Sequence, residues 1–474
     1  MLFSSLEFIF LFLPLSVAVY FLVPLRKRNL ALLLLSLAFY GFGEPLYLFL
    51  MVFTIAADHI FGALIERYRD NKRRAKVILS LAIIFNLGIL FYFKYFASLL
   101  GLVARMTGLN VSISTPALPI GISFYTFQAM SYVIDVYRRD VRAEKSLVVT
   151  GAYVTLFPQL IAGPIIKYKD ISDQLKSRAH SLSMAASGIQ RFSVGLIKKC
   201  VLANSAGELW SRFCRDLSAG AEISTLGAWL GVIAFAFQIY FDFSGYSDMA
   251  IGLGRIFGFE FPENFNYPYI SKSITEFWRR WHITLSTYFR EYVYIPLGGN
   301  RCARPRMYLN LLAVWSLTGL WHGASFNFLF WGLYYILLIS LEKAFLLRLL
   351  DRAPALLSGA YALFFILLGW LIFAADGTSI ALPEALTCVR VMLGFSGAPL
   401  LNDRAIYELS RNASLFIIMA IASTPIIKNL FDRLKVGRPS LSSGISLALS
   451  LTSLFLSTAY LVNSGYNPFL YFRF

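Results

Sequence analysis

Charge is scarce in this 474-residue chain: Asp, Glu, Lys and Arg together make up 15%, against about a quarter in a soluble protein. That shortage excludes a conventional soluble enzyme, which needs ionisable groups to cover its surface. Acidic residues are scarcer still, 26 against 43 basic ones, leaving a formal net charge of +17. The excess is not a nucleic-acid interface, because no polar domain presents it. Only four cysteines occur, Cys200, Cys214, Cys302 and Cys388, and their scatter supports neither a disulfide framework nor a zinc site. They read as ordinary apolar filling. No internal repeat, low-complexity tract or large soluble insertion interrupts the chain. The glycines at 252 and 254 and the Gly298-Gly299 pair lack the strand-turn-helix setting of a nucleotide loop, so they read as turns or close-packing points.

What is abundant is apolar surface. Hydrophobic residues make up 58%, including 43 Phe and 26 Tyr, and they fall in runs near 20 residues. Strong runs lie near 4–24, 29–55, 77–100, 225–241, 309–321 with an extension to 345, 357–374, 411–426 and 442–463; weaker ones lie near 118–136, 148–166 and 181–203. The pattern predicts an all-α polytopic membrane protein with about 10–12 transmembrane or part-spanning helices. The first run has no basic segment after Met1 and leads into Arg26, Lys27 and Arg28 without a cleavage pattern, so it reads as a retained helix. Basic clusters sit at Arg26–Arg28, from Arg67 to Lys76, from Arg138 to Lys145, and around Arg301–Arg306 and Arg433–Arg438. Short loops of this kind stay cytoplasmic or meet lipid headgroups, which places the amino terminus outside.

The middle third interleaves charge, imidazole and aromatic rings at membrane depth. The stretch from Gln238 to Ile270 puts Asp242, Ser244 and Asp248 directly after a long apolar helix. Carboxylates there need a partner, water or a helix to cap, so Asp242 reads either as a cap or salt-bridge residue or as the lining of a hydrophilic cavity. Pro262 and Pro268 argue for irregular backbone, tolerated only where buried in protein or lining water. From Glu276 to Gly299, a helix running to about residue 289 would gather Trp278, Trp281, His282, Leu285 and Phe289 on one broad face, in the manner of an interfacial or re-entrant helix. His282 then reads either as a core histidine or as a group beside a reaction cavity. His322 is sharper: it stands in a nearly uncharged stretch between Gly319 and Gly323, after Trp321. An ionisable side chain at that depth is a functional candidate, and a neutral imidazole can take a proton from a hydroxyl and return it. His59 and His180 read as solvent-facing residues near a loop or polar flank.

The runs DFSGYSDMAIGLG (242–254), FWRRWHITLSTYFREYVYIPLGG (277–299) and GLWHGASFNFLFWG (319–332) resemble the membrane-bound O-acyltransferase family, in its bacterial alginate O-acetyltransferase branch. LPIGISFYTFQAMSYVIDVYR (118–138), FPQLIAGPI (157–165) and the terminal PFLYFRF (468–474) extend the resemblance over most of the chain. It implies helices around a central funnel in the bacterial cytoplasmic membrane, where a cytosolic acyl donor reaches an acceptor on the other side. The family's histidines match His322 in WHG and His282 in WRRWH.

The resemblance therefore predicts acetyl transfer from acetyl-CoA toward hydroxyls of an exported polysaccharide, alginate first, with cellulose or another envelope polymer as alternatives. His322 would act as base and His282 would position or polarise the donor carbonyl, with the reverse assignment and a covalent histidine relay both open. Arg280, Asp242, Ser244, Asp248, Trp278 and Trp321 would shape the cavity or support the histidines. No metal and no permanently bound cofactor are expected. A periplasmic esterase-like partner and a polysaccharide synthesis or export complex would complete the system. Residues 1–110 and 357–474 would flank a catalytic core at 118–345 within one domain. A transporter should show related halves, which this chain lacks; a scaffold would need no histidine chemistry.

Overall fold

The computed structural model describes residues 1–108, 116–376, 379–463, 467, 468 and 470, and among these the chain is helical throughout with no strand. Of the terminal run 468–474, all but Pro468 and Leu470 lies outside the described residues. Among the described residues, six helices are long and apolar enough to cross a bilayer: Tyr47–Arg67, Lys72–Thr107, Thr225–Ile256, Ala355–Ala374, Asp403–Ala422 and Pro439–Asn463, with Phe8–Leu22 a shorter apolar helix. Their surface is inverted relative to a soluble protein. Ile417, Ile418, Leu451 and Phe455 face outward while Ser442, Ser453 and Ser457 are buried, an arrangement that suits lipid as solvent. The chain is a polytopic, all-α membrane protein.

Several apolar runs that read as continuous are broken, each for a local reason. The run 29–55 is two helices, Arg28–Gly43 and Tyr47–Arg67, separated at Glu44 and Pro45. Proline lacks the N–H a helix needs and disfavours helical backbone in the residue before it. The run 309–345 divides into Arg304–His322 and Phe326–Leu341 around an extended Gly323. In the opposite sense, the helix expected over 225–241 continues for 32 residues to Ile256. Asp242, Ser244 and Asp248 therefore stand within a helix and not in a turn after it.

The chain divides into two compact units. The first comprises residues 1–192 and 246–262. At its centre, Ile122–Arg138 is buried without interruption from Ile122 to Val136, as expected of a helix surrounded by others. Arg139 donates to the carbonyl of Arg69 at 2.8 Å and Arg142 lies 3.4 Å from the Glu66 carboxylate, so two of the basic clusters share one end of this unit. His59 is not near a loop: it lies within Tyr47–Arg67, with Nδ1 3.0 Å from Thr150 Oγ1. Gly252 acts as a close-packing point, since a Cβ there would meet the backbone nitrogen of Phe192 at 2.6 Å.

The second unit comprises residues 193–245 and 263–474. Here Arg304–His322 and Phe326–Leu341 pack backbone to backbone through two glycines. A Cβ on Gly319 would collide with the carbonyl oxygen of Phe328, and one on Gly332 with that of Trp315. Neither obstacle is the end of a flexible side chain, so the helices themselves must separate. Gly298 and Gly299 have φ of 113° and 54°, backbone that favours glycine in a tight turn. Replacing Gly332 with Val should cost about 1–3 kcal/mol, read as a lowered melting temperature of the detergent-solubilised protein; an unchanged melting temperature would contradict this packing.

Candidate active site

The residues around His282 are built from two short helices, not one. Ile274–Arg280 starts at Ser273, whose Oγ accepts from the N–H of Glu276 at 3.0 Å. Glu342, buried at the end of Phe326–Leu341, completes that start: its carboxylate accepts from the N–H groups of Ile274 and Thr275 at 2.7 and 2.8 Å, from Thr275 Oγ1 at 2.6 Å and from the Tyr361 hydroxyl at 3.3 Å. The helix then stops. Trp281 is extended and His282 has φ 42° and ψ 54°, the left-handed region, before Ile283–Phe289 begins. A side chain there costs roughly 1–2 kcal/mol, so surrounding contacts must hold it. The broad face expected from one continuous helix is therefore absent, because the chain turns at the residue that would have carried it.

Asn264 supplies the contacts that hold the turn. This fully buried residue lies in the irregular segment between the two prolines. Its backbone carbonyl accepts from the N–H of Ile283 at 3.0 Å, and Asn266 N–H donates to the carbonyl of Arg280 at 2.9 Å. Its Oδ1 accepts from the Thr284 N–H at 3.3 Å and the Thr284 hydroxyl at 2.9 Å, and lies 3.1 Å from His282 Nδ1. The Thr284 N–H can only donate, which fixes the carboxamide with its oxygen toward the group. His282 Nδ1 must therefore carry the proton and donate it to Asn264. The other ring nitrogen, Nε2, is left as a bare lone pair, buried and without a hydrogen-bond partner among the described residues. Burial also pushes the imidazole down from its ordinary pKa, to about 3, so the ring is neutral near pH 7. His282 lies outside the six long apolar helices.

His322 ends Arg304–His322 and is buried among aromatic rings: Trp321 at 4.9 Å, Trp331 and Phe373 each at 5.1 Å. Gly323 is held to a hydrogen by Phe328, whose ring a Cβ would meet at 2.6 Å. Asn327 donates to the carbonyls of Ile372 and Phe373 at 3.3 and 3.2 Å, which fastens the end of Ala355–Ala374 beside this ring. The two histidines converge on one residue. Trp321 packs against His322 and also against His282, at 5.9 Å, while the Phe243 ring stands perpendicular to His282 at 4.7 Å and 90°. Two buried imidazoles thus share a water-poor aromatic box, a setting that strengthens hydrogen bonds to any substrate and suits proton transfer.

The remaining expected site residues fall in different places. Trp278 stands beside this box, packed on Trp315, Trp331 and Tyr335 at 4.8, 5.4 and 4.9 Å. Arg280 pairs with Glu276 at 2.8 Å and donates to the carbonyl of Asn266, so it braces the turn from outside. Asp242 is the salt-bridge residue of the two readings open to it: with 2% exposure on each side, it pairs with Lys199 at 2.5 Å and accepts from the Leu470 N–H at 2.9 Å. Ser244 is buried next to Phe243 and its hydroxyl has no hydrogen-bond partner among the described residues. Asp248 belongs to the first unit, where it pairs with Arg191 at 2.6 Å. Sequence reasoning missed Asn264, Glu342 and Lys199. Glu342 did carry a signal, as a carboxylate closing a long apolar run, but the backbone N–H groups that it caps lie 67 and 68 residues away.

Fold and site together define an integral membrane protein whose helices enclose a pair of imidazoles. The profile of the membrane-bound O-acyltransferase family matches residues 142–374, which span both histidines and Asn264. The chain is 43% identical to the probable alginate O-acetylase of Azotobacter vinelandii over 385 residues, covering 80% of this chain and 76% of that one. It is 34% identical to the peptidoglycan O-acetyltransferase of Helicobacter pylori over 452 residues, covering 88% and 83%. The teichoic acid D-alanyltransferase of Bacillus subtilis is 28% identical over 236 residues, covering 48% and 59%. The chain belongs to the membrane-bound O-acyltransferase family, and its general activity is O-acyl transfer.

Two predictions follow from the histidine turn. The unfolded chain takes up the His282 proton near pH about 6.5, whereas the folded ring stays neutral down to about 3. This contribution to stability is therefore fully present above about pH 6.5 and is lost progressively as the pH falls toward 3. Melting temperatures should decline across that window in the wild type and decline less in His282→Gln; parallel declines would contradict it. Asn264→Ala removes the acceptor of His282 Nδ1–H, and kcat should drop about a hundredfold with a smaller change in KM. Wild-type kcat in a folded variant would contradict the positioning role.

Proposed function

We propose that this chain is an O-acetyltransferase of the bacterial cytoplasmic membrane that moves acetyl groups from a cytosolic thioester, acetyl-CoA, toward hydroxyls of an exported polysaccharide, alginate first. The observation that carries the reading is the pair of buried imidazoles against Trp321, one of them with Nδ1–H held by Asn264 and Nε2 left bare. The alginate and peptidoglycan O-acetylating relatives support acetyl as the group and a cell-envelope polymer as the acceptor. A peptidoglycan acceptor is the second reading, since that relative aligns over 88% of this chain.

The hydrogen-bond pattern favours one division of labour. A neutral His282 whose Nδ1–H is committed to Asn264 offers an acceptor and no donor at Nε2. It therefore suits the base better than the group that polarises the donor carbonyl, the reverse of the assignment first expected. The acceptor hydroxyl gives its proton to His282 Nε2 as its oxygen attacks the thioester carbonyl carbon; the C–O bond forms, the C–S bond breaks, and the proton passes to the departing thiolate. His322, on the same tryptophan, takes the role of positioning or polarising the donor carbonyl. Residues 118–345 form the catalytic core, with 1–110 and 357–474 flanking it. The basic loops lie on the cytoplasmic side, where the donor is made, and a periplasmic esterase-like partner passes acetyl onward within a polysaccharide synthesis or export complex.

The reading is tested with labelled acetyl-CoA and membranes containing the chain and its encoded partners. Wild type should label polysaccharide or partner, and His322→Ala at matched protein level should lose at least about a hundredfold of that label. Full labelling by His322→Ala would overturn the histidine mechanism. Polysaccharide flux without any acetyl turnover in wild type would favour a transporter instead.

A further inference from the structure

A second constellation lies in the first unit, built from residues that the histidine box does not use. Arg28 opens the helix Arg28–Gly43, and Arg178 follows the helix Tyr168–Lys176. Tyr20 joins them: Arg178 Nε donates to its hydroxyl at 2.8 Å, and Arg28 lies over its ring at 5.0 Å. Arg28 also covers Phe21 at 5.2 Å, and Arg178 covers Phe259 at 4.4 Å. These stacks orient two guanidiniums without neutralising either.

Among the described residues neither Arg28 nor Arg178 forms an ion pair with a carboxylate, although Asp173 stands close to Arg178 in sequence. Arg178 donates from Nη1 to Asn29 Oδ1 at 2.9 Å and to the carbonyl of Gln174 at 3.2 Å. Arg28 leans its Nη1 on the His180 ring at 3.2 Å, and its Nε is buried without an acceptor. The third member, His180, is held below its ordinary pKa by partial burial first and by the two arginines second, so it accepts from Arg28 and adds no anion. Two like charges gathered on aromatic rings, with guanidinium hydrogens to spare, are the arrangement that forks onto a phosphate.

We propose that Arg28 and Arg178, steadied by Tyr20 and Phe259, form a binding site for a phosphate ester. Two sources carry that group: the nucleotide phosphates of a coenzyme A thioester, and the headgroup of an anionic phospholipid. The first source rests on the proposed donor; the site itself does not.

The test uses full-length protein purified in detergent, with coenzyme A and phosphatidylglycerol as the two probes. Affinity for coenzyme A is measured by titration, and phosphatidylglycerol retention by native mass spectrometry. The double variant Arg28→Gln, Arg178→Gln removes two charge-assisted contacts and should weaken the bound probe about a hundredfold, while Arg28→Lys with Arg178→Lys should recover part of the loss. A loss confined to coenzyme A identifies the donor phosphates; a loss confined to phosphatidylglycerol identifies the lipid. Should the glutamine double fail to melt as a folded protein, the single Arg178→Gln variant is read in the same way, with a tenfold loss expected. Wild-type protein that binds neither probe, or folded variants that bind both as wild type does, would overturn the site. Neither readout needs turnover, so acetyl transfer by a wild type that binds neither probe sinks this site alone, and probe binding without acetyl transfer sinks only the proposed reaction.

Discussion

Oδ1 of Asn264 takes hydrogen bonds from the Thr284 N–H, the Thr284 hydroxyl and His282 Nδ1 in a buried position. The Thr284 N–H determines which way the carboxamide points, and the carboxamide determines which imidazole nitrogen holds the proton. The same residue's backbone carbonyl anchors Ile283, so the left-handed turn at His282 and the tautomer of its ring have one origin. Had the chain continued as a helix through Trp281, His282 would lose both its orientation and its partner. A local break in a helix thus leaves an unprotonated ring nitrogen in a buried place.

The rest of the second unit holds that turn in place while satisfying charges that an apolar interior tolerates only in company. Glu342 reaches from the end of one helix to the start of the helix that precedes the histidine, and its four donors leave no oxygen idle. Lys199 and Asp242 do the same for the end of the chain: the lysine also donates to the carbonyl of Pro468, and the aspartate accepts from Leu470. Removing one partner from such a buried pair leaves an uncompensated charge, which is why each charged group here arrives with its donors assembled. Glycine contacts at 319 and 332 bring His322 close to the aromatic rings that it shares with His282.

Much of this was legible in the sequence and some of it was not, for physical reasons. Long apolar runs announce membrane helices because bilayer thickness sets their length, and the histidine motifs stood out because an imidazole amid aromatic residues is expensive. The break at Trp281–His282 was hidden, since no proline or glycine marks it and the alternation of Trp and Arg suits a helix equally well. Asp242 and Asp248 read as a turn because isolated carboxylates end apolar helices; their partners, Lys199 and Arg191, stand 43 and 57 residues away in sequence, and only tertiary structure pairs them. Asn264 looked like loop filling for the same reason, as its role depends on residues 18 and 20 positions further on.

The central claim is that His282 is a neutral Nδ1–H imidazole with a free Nε2. Nitrogen NMR of ¹⁵N-histidine-labelled protein in detergent, with His282 assigned through His282→Gln, reads this directly. One protonated and one bare ring nitrogen are expected, with shifts that do not change between pH about 5 and 8, below and above the ordinary histidine pKa. A ring that titrates in that range, or one that carries its proton on Nε2, would contradict it.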